Sequence, residues 1–246
     1  MHRFFVSPGQ IEDGLVTIEG EDFKHITKVL RLRDDEAIEV CDGRGTDYIA
    51  CVETVGKDSL KGRILESRPS RGETDSLRVT LFQGVPKGQK MESVIQKCVE
   101  AGAASIVPFT SERTVVKLGD KEEKKTRRWQ RVAYEAAKQS KRGIVPHVAE
   151  VTTLSAVADT LDNYDLVLIA YEGEEESSLK SVISSLEFDP EKIAVIIGPE
   201  GGFDPAEAGM IEEAGGYSVS LGRRILRTET AGVVLLAQLN FFYEKS

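Results

Sequence analysis

The chain has 246 residues, 40% of them apolar, and a formal net charge of −9. That much apolar side chain fills one or two packed cores, and no apolar run approaches the roughly 20 residues that a membrane-spanning helix needs. Three cysteines, Cys41, Cys51 and Cys98, with no histidine at ligand spacing, argue against a disulfide framework and a zinc site. The residues around His2 and Arg3 do not resemble a signal peptide, so the expectation is a cytoplasmic protein with no membrane and no metal partner.

Residues 1–70 read as a small, mainly β domain. Leu15-Val16-Thr17-Ile18 is a short β-branched strand, and residues 22–32 read as one helix with Phe23, Ile26, Val29 and Leu30 on one face. Residues 37–41, 47–54 and 59–65 read as strands separated by the turns Asp42-Gly43-Arg44-Gly45 and Val55-Gly56-Lys57-Asp58. Short strands with glycine turns predict a small barrel. Residues 67–73, almost without apolar side chains, are the expected linker.

From Leu77 the pattern alternates strand and helix: strands at 77–84, 105–109, 165–171, 193–197 and 217–221, helices at 90–101, 121–140, 153–160, 179–186, 205–214 and 230–243. This alternation predicts an α/β domain over residues 74–246, a parallel sheet with helices on both faces. Charge is distributed unevenly. Residues 1–72 carry a net −3, residues 87–142 a net +7 and residues 143–246 a net −12. A basic band on an acidic chain is either a phosphate-binding face or a solvated helix surface rich in lysine, and charge by itself leaves both open.

Familiar fingerprints are missing. No GxGxxG follows a strand, Gly84-Val85-Pro86-Lys87-Gly88-Gln89-Lys90 lacks P-loop spacing, and there is no GxSxG elbow or HExxH. The histidines His2, His25 and His147 are scattered, which suits surface or packing positions. What stands out instead is a pair of late loops. The apolar run 193–197 ends in Gly198-Pro199-Glu200-Gly201-Gly202-Phe203-Asp204, with Asp204-Pro205 reading as an N-cap and a proline at the first helical position. The strand at 217–221 ends in Gly222-Arg223-Arg224-Ile225-Leu226-Arg227, and Thr228-Glu229-Thr230-Ala231 opens the last helix. Two glycine loops at strand ends, each feeding a helix, build one ligand pocket from backbone amides. Tyr171-Glu172-Gly173 supplies a third wall.

GPEGGF followed by LGRRILRTETA resembles the signature of the SPOUT methyltransferases, and within them the ribosomal RNA small subunit methyltransferase E family. Residues 2–6, 25–33, 85–92, 95–97, 111–115, 128–129 and 135–140 are similar to that family as well, so the resemblance covers nearly the whole chain; one departure is the more basic helix end at Lys138, Lys141 and Arg142. The resemblance implies a PUA-like β-barrel at residues 1–70, then a SPOUT domain whose C-terminal end forms a deep trefoil knot. It implies a homodimer that methylates N3 of one uridine of 16S rRNA, usually numbered 1498, within the small ribosomal subunit.

It further implies S-adenosyl-L-methionine as cofactor, held by Ile169, Tyr171, Gly198, Pro199, Glu200, Gly201, Gly202, Leu221, Gly222, Ile225, Leu226, Arg227, Thr228, Thr230 and Ala231. Uridine N3 must lose a proton, and deprotonation spreads charge onto O2 and O4. Arg227 is the expected stabiliser of that charge, while Glu200 and Glu229 either take the proton or hold a loop amide. RNA is expected to face Lys87, Lys90, Arg113, Arg128, Gln139 and Arg142, with His25 and Arg31 in the N-terminal domain. Lys121 to Lys125 alternates with Glu122 and Glu123 and reads as a solvated face. Two other readings remain: ribose 2′-O methylation by another SPOUT enzyme, and a non-catalytic RNA-binding assembly factor.

Overall fold

The computed structural model describes residues 3–73, 77–114, 122–174 and 176–243; the expectations for His2 and Lys121 lie outside these. The chain folds into two compact units, Met1–Glu73 with Ala137–Val145, and Thr74–Ala136 with Pro146–Ser246. No helix among the described residues is long and apolar enough to cross a membrane.

The first unit holds β1 (Arg3–Phe5), β2 (Ile11–Glu12), β3 (Leu15–Glu19), α1 (Gly20–His25), β4 (Ala37–Cys41), β5 (Thr46–Val55) and β6 (Ser59–Pro69). Their sheet order is β1-β4-β5-β6-β3-β2. Asp13 and Gly14, at φ 50° and 75°, make the two-residue turn between β2 and β3, where both positions need positive φ. The path ends at β1 and β2, strands of three and two residues, and is a half-barrel rather than a closed ring. Alternate residues of the strands (Val16, Ile18, Ile38, Val40, Ala50, Val52) point inward onto Phe4, Phe23 and Leu60.

Two expectations are corrected here. The helix over 22–32 is a short α-turn followed by a π-helical turn, Ile26–Leu30, closed by Arg31 at φ 53°. The wider turn shifts the apolar face: Phe23 and Ile26 are buried, whereas Val29 is 65% exposed. Residues 67–73 are not a free linker. β6 continues to Pro69, pairing with Thr46. Glu73 then takes two hydrogen bonds from the Arg142 guanidinium, both 2.8 Å, and accepts from the amides of Gly143 and Ile144 at 2.8 and 3.0 Å. Arg3 grips Asp47 with two bonds of 2.9 and 2.8 Å and donates to the Arg142 carbonyl at 2.8 Å. These buried charges tie segment 137–145 into the first unit, which a domain boundary drawn at 70–74 misses.

The second unit holds β7 (Arg78–Gly84), α2 (Lys90–Glu100), β8 (Ser105–Thr110), α3 (Glu122–Gln139, whose last residues count with the first unit), β9 (His147–Val148), β10 (Thr152–Thr153), α4 (Leu154–Ala158), β11 (Leu166–Ala170), α5 (Leu179–Ser185), β12 (Lys192–Ile197), α6 (Pro205–Glu213), β13 (Tyr217–Val219) and α7 (Thr228–Tyr243). The strands are parallel, in the order β10-β8-β7-β12-β11-β13, with β9 also on β8. One sheet face buries Phe82, Ala194, Ile196, Val167 and Ile169 under α4 and α6. On the other, Gly232 of α7 comes so close that a Cβ there would meet Cys98 Sγ of α2 at 3.2 Å and Leu81 of β7 at 3.5 Å. Because the strands are parallel, the carboxyl ends of β7, β11, β12 and β13 all open on the same edge, and β12 lies between two strands that precede it in the chain.

Replacing Glu73 by Ala leaves the Arg142 guanidinium buried without its carboxylate. Equilibrium urea unfolding is expected to show a loss of about 3 kcal/mol.

Candidate active site

A cavity of about 930 Å³ opens at the carboxyl ends of β11, β12 and β13. Its walls come from the loops that leave these strands, with Tyr171, Glu172 and Ser178 from the first, residues 198–200, 202 and 203 from the second and 220–227 from the third, together with Lys90 and the first turn of α7. The first signature loop, the one after β12, is anchored by Phe203, 2% exposed and stacked on Phe109 with ring centroids 6.3 Å apart. Asp204 caps α6, accepting from Ala206 N at 3.1 Å, while Glu207 accepts from the Asp204 amide at 2.9 Å. The N-cap and Pro205 at the first helical position are as the residues predict.

The two signature loops are joined by a buried polar clasp. Thr228 Oγ1 donates to the Gly198 carbonyl at 2.7 Å and accepts from Gln83 Nε2 at 2.8 Å. The same Gln83 nitrogen lies 3.0 Å from the Gly84 carbonyl and 3.4 Å from that of Gly198, and Gln83 has no exposed surface. One amide at the end of β7 thus fixes the end of β12 against the start of α7. Gly84 permits the approach: a Cβ there would sit 2.5 Å from both Cδ and N of Pro199. Sequence reading passed over Gln83, although a glutamine in the apolar run Leu81-Phe82-Gln83 was a visible signal of a buried polar role.

Around this clasp the charges are paired. Glu200 accepts from the Lys87 amide, 3.1 Å to each oxygen, and from Lys90 Nζ at 2.9 Å. Burial alone would raise the Glu200 pKa, but the Lys90 ammonium and the backbone amides outweigh it and hold the carboxyl below its ordinary value. Its stabilising effect is therefore present in full above the usual glutamate range and is lost only as pH falls through the depressed value. Lys90 Nζ also lies 3.9 Å from Glu229 Oε2, and Arg227 is 4.0 Å from Glu229 Oε1. Arg113 donates to the Gly201 carbonyl at 3.1 Å and to Asp204 at 3.2 Å, bracing the first loop from outside. Arg128 pairs with Glu92 at 2.8 Å.

Of the residues expected at the cofactor, Tyr171, Gly198, Pro199, Glu200, Gly202, Leu221, Gly222, Ile225, Leu226, Arg227, Thr228 and Ala231 line the cavity, as does Glu229. Ile169, Gly201 and Thr230 do not. Ile169 is fully buried in the core behind the wall. A Cβ at Gly201 would face Arg113 at 3.1 Å rather than the cavity, and Thr230 lies exposed on the first turn of α7. Among the expected RNA contacts, Lys90 belongs to the cavity wall, Arg113 and Arg128 are ion-paired, and Arg142 is 5% exposed against Glu73. Lys87, Gln139, His25 and Arg31 are exposed, the last three in the first unit. Arg223, Arg224 and Ser178, which sequence reading left unassigned, also line the cavity. The thiols of Cys41 and Cys98 are pushed up to about 12, chiefly by burial, and no group of residues among those described could hold a metal ion.

Residues 73–240 match the model of an RNA methyltransferase domain and residues 18–65 that of an RNA methyltransferase PUA domain. Fold and site are those of an RNA methyltransferase. The chain is 35% identical, over 98% of its own length and 96% of the relative's, to the ribosomal RNA small subunit methyltransferase E of Bacillus subtilis. The crystal structure of the Neisseria gonorrhoeae enzyme of the same name, bound to S-adenosyl methionine, is similar with a TM-score of 0.86 at 30% identity, over 99% of this chain and 98% of that one. A methyltransferase of Legionella pneumophila in complex with the bound cofactor is similar with a TM-score of 0.83 at 31% identity, over 98% and 97%. The chain belongs to the ribosomal RNA small subunit methyltransferase E family.

Gly84→Ala is expected to leave the chain folded but to push Pro199 out of place. In isothermal titration with S-adenosyl-L-methionine, affinity should fall at least 10-fold while the thermal transition moves by only a few degrees.

Proposed function

We propose that this chain transfers a methyl group from S-adenosyl-L-methionine to N3 of one uridine of 16S rRNA, the position usually numbered 1498, in the small ribosomal subunit. The observation that carries the reading is the cavity between the two signature loops. Its volume of about 930 Å³ suits a nucleoside-sized ligand. Its walls combine apolar Ile197, Leu221 and Leu226 with loop backbone, and beside Gly222, at φ 110°, a Cβ would meet nothing within 4 Å. These features fit the cofactor carried by the Neisseria and Legionella relatives. When bound, it supplies an electrophilic methyl group.

The chain's own residues then hold and orient both partners and handle the N3 proton. Arg227 is the cation for O2 and O4: its side chain is 82% exposed at the cavity and reaches its nearest carboxylate only at 4.0 Å. Of the two carboxylates, Glu229 is the better proton acceptor. Its Oε2 is buried, 3.9 Å from Lys90 Nζ, and accepts no hydrogen bond, whereas Glu200 is committed to Lys87 and Lys90 and its depressed pKa makes it a weak base. We also read the insertion of β12 between β7 and β11, with α7 returning against α2, as the crossing of a trefoil knot. The place of action follows from the substrate, the cytoplasm, where ribosomal RNA is found.

Mass spectrometry of nucleosides from small subunits treated with enzyme and cofactor tests the reaction. It should recover 3-methyluridine, and 2′-O-methylnucleosides in its place would reject the proposal. Glu229→Gln should lower the single-turnover rate by roughly 100-fold, with cofactor affinity kept.

The second part of the reading is a homodimer. Phe241 is 85% exposed and Phe242 41% exposed at the end of α7, an apolar surface suited to a second copy of the chain. Phe241→Ser is expected to shift sedimentation equilibrium from dimer toward monomer.

A further inference from the structure

We propose that the second signature loop is itself the RNA-docking rim of the site: Arg223 and Arg224 hold phosphates on either side of the target nucleotide, and Ile225 packs on the face of a neighbouring base. This rests on the RNA methyltransferase reading and moves the main phosphate contacts away from the basic band of the middle segment. Part of that band is already paired within the protein. Lys90 pairs with Glu200, Arg113 with Asp204, Arg128 with Glu92 and Arg142 with Glu73. Arg142, buried against Glu73, has nothing left for a phosphate, and the exposed pairs of Lys90, Arg113 and Arg128 would have to exchange one partner for another.

The loop at the cavity mouth is different. Residues 143–246 contain only six basic side chains, Lys180, Lys192, Arg223, Arg224, Arg227 and Lys245, against 18 acidic ones. Three of the six fall within five consecutive positions, at the opening of the pocket. Arg223 and Arg224 are exposed, and neither makes an ion pair or hydrogen bond with any described residue. Between them and Arg227, Ile225 is 87% exposed. Planar guanidinium groups beside an uncovered apolar side chain are what a single-stranded, unstacked RNA segment requires: charge-assisted bonds to phosphate and an apolar surface for a base. The same cavity is lined by Glu172, Glu174 and Glu176 from the loop after β11, whose carboxylates repel phosphate and favour the arginine loop as its contact. Arg227, next along the loop, then stands over the delivered base.

The test is equilibrium binding of full-length enzyme to unmethylated small ribosomal subunits without turnover, at several salt concentrations, beside calorimetry with S-adenosyl-L-methionine. The double variant Arg223→Gln, Arg224→Gln should bind subunits at least 10-fold more weakly, with the slope of log K against log salt reduced by about 1 to 2, and should keep cofactor affinity within twofold. Ile225→Ala should weaken subunit binding with the salt slope unchanged. Lys124→Gln, on the exposed face of α3, should alter neither. Subunit affinity and salt slope unchanged in the double variant would overturn the proposal. So would a matching loss of cofactor affinity, which would assign the arginines to the cofactor, or a loss of self-association alone, which would make the rim an interface between copies. Failure of the wild type to bind cofactor would reject the underlying function instead.

Discussion

The Gln83 amide is the constraint on which the pocket depends. A primary amide buried at the end of an apolar strand costs free energy unless its donors are met. Here the donors are met by the Gly198 and Gly84 carbonyls and the Thr228 hydroxyl, Thr228 closes the triangle on Gly198, and the buried Gln83 Oε1 is left without a partner. Three segments far apart in sequence thereby acquire one spacing. The loops around them are glycine-rich and have little intrinsic preference for a single conformation. Their geometry comes from the clasp, from Phe203 seated on Phe109, and from the Arg113 brace outside.

The same economy governs the charges. Lys90 stands among Glu200, Glu229 and the cavity, so it orders the wall and depresses the carboxyl that it touches most closely. That pairing gives two glutamates of similar position different hydrogen bonding. Glu200 becomes a tie between loops, and Glu229 keeps an oxygen free of hydrogen bonds. In the first unit, Glu73 and Asp47 do comparable structural work for Arg142 and Arg3, holding segment 137–145 to the half-barrel. Net charge along a segment therefore overstates what the segment offers to a partner, because it counts cations that internal carboxylates have already taken.

Much was legible before any tertiary structure. The alternation of apolar runs with 3.6-period stretches specified the parallel sheet and its helices, since both periods follow from local backbone geometry. The N-cap at Asp204 with Pro205 at the first helical position was local as well, and the paired loops announced a pocket at the strand ends. What the sequence could not decide by itself was anything set by atoms distant along the chain. The π-turn that turns Val29 outward, the hold of Glu73 on Arg142, and the direction of a Cβ at Gly201 all depend on packing partners. So does the clasp at Gln83, two of whose acceptors, at Gly198 and Thr228, lie more than a hundred residues away. Local periodicity records which face of an element is buried. Only the tertiary fold decides which polar group meets which, because hydrogen bonds and ion pairs are chosen by distance in space.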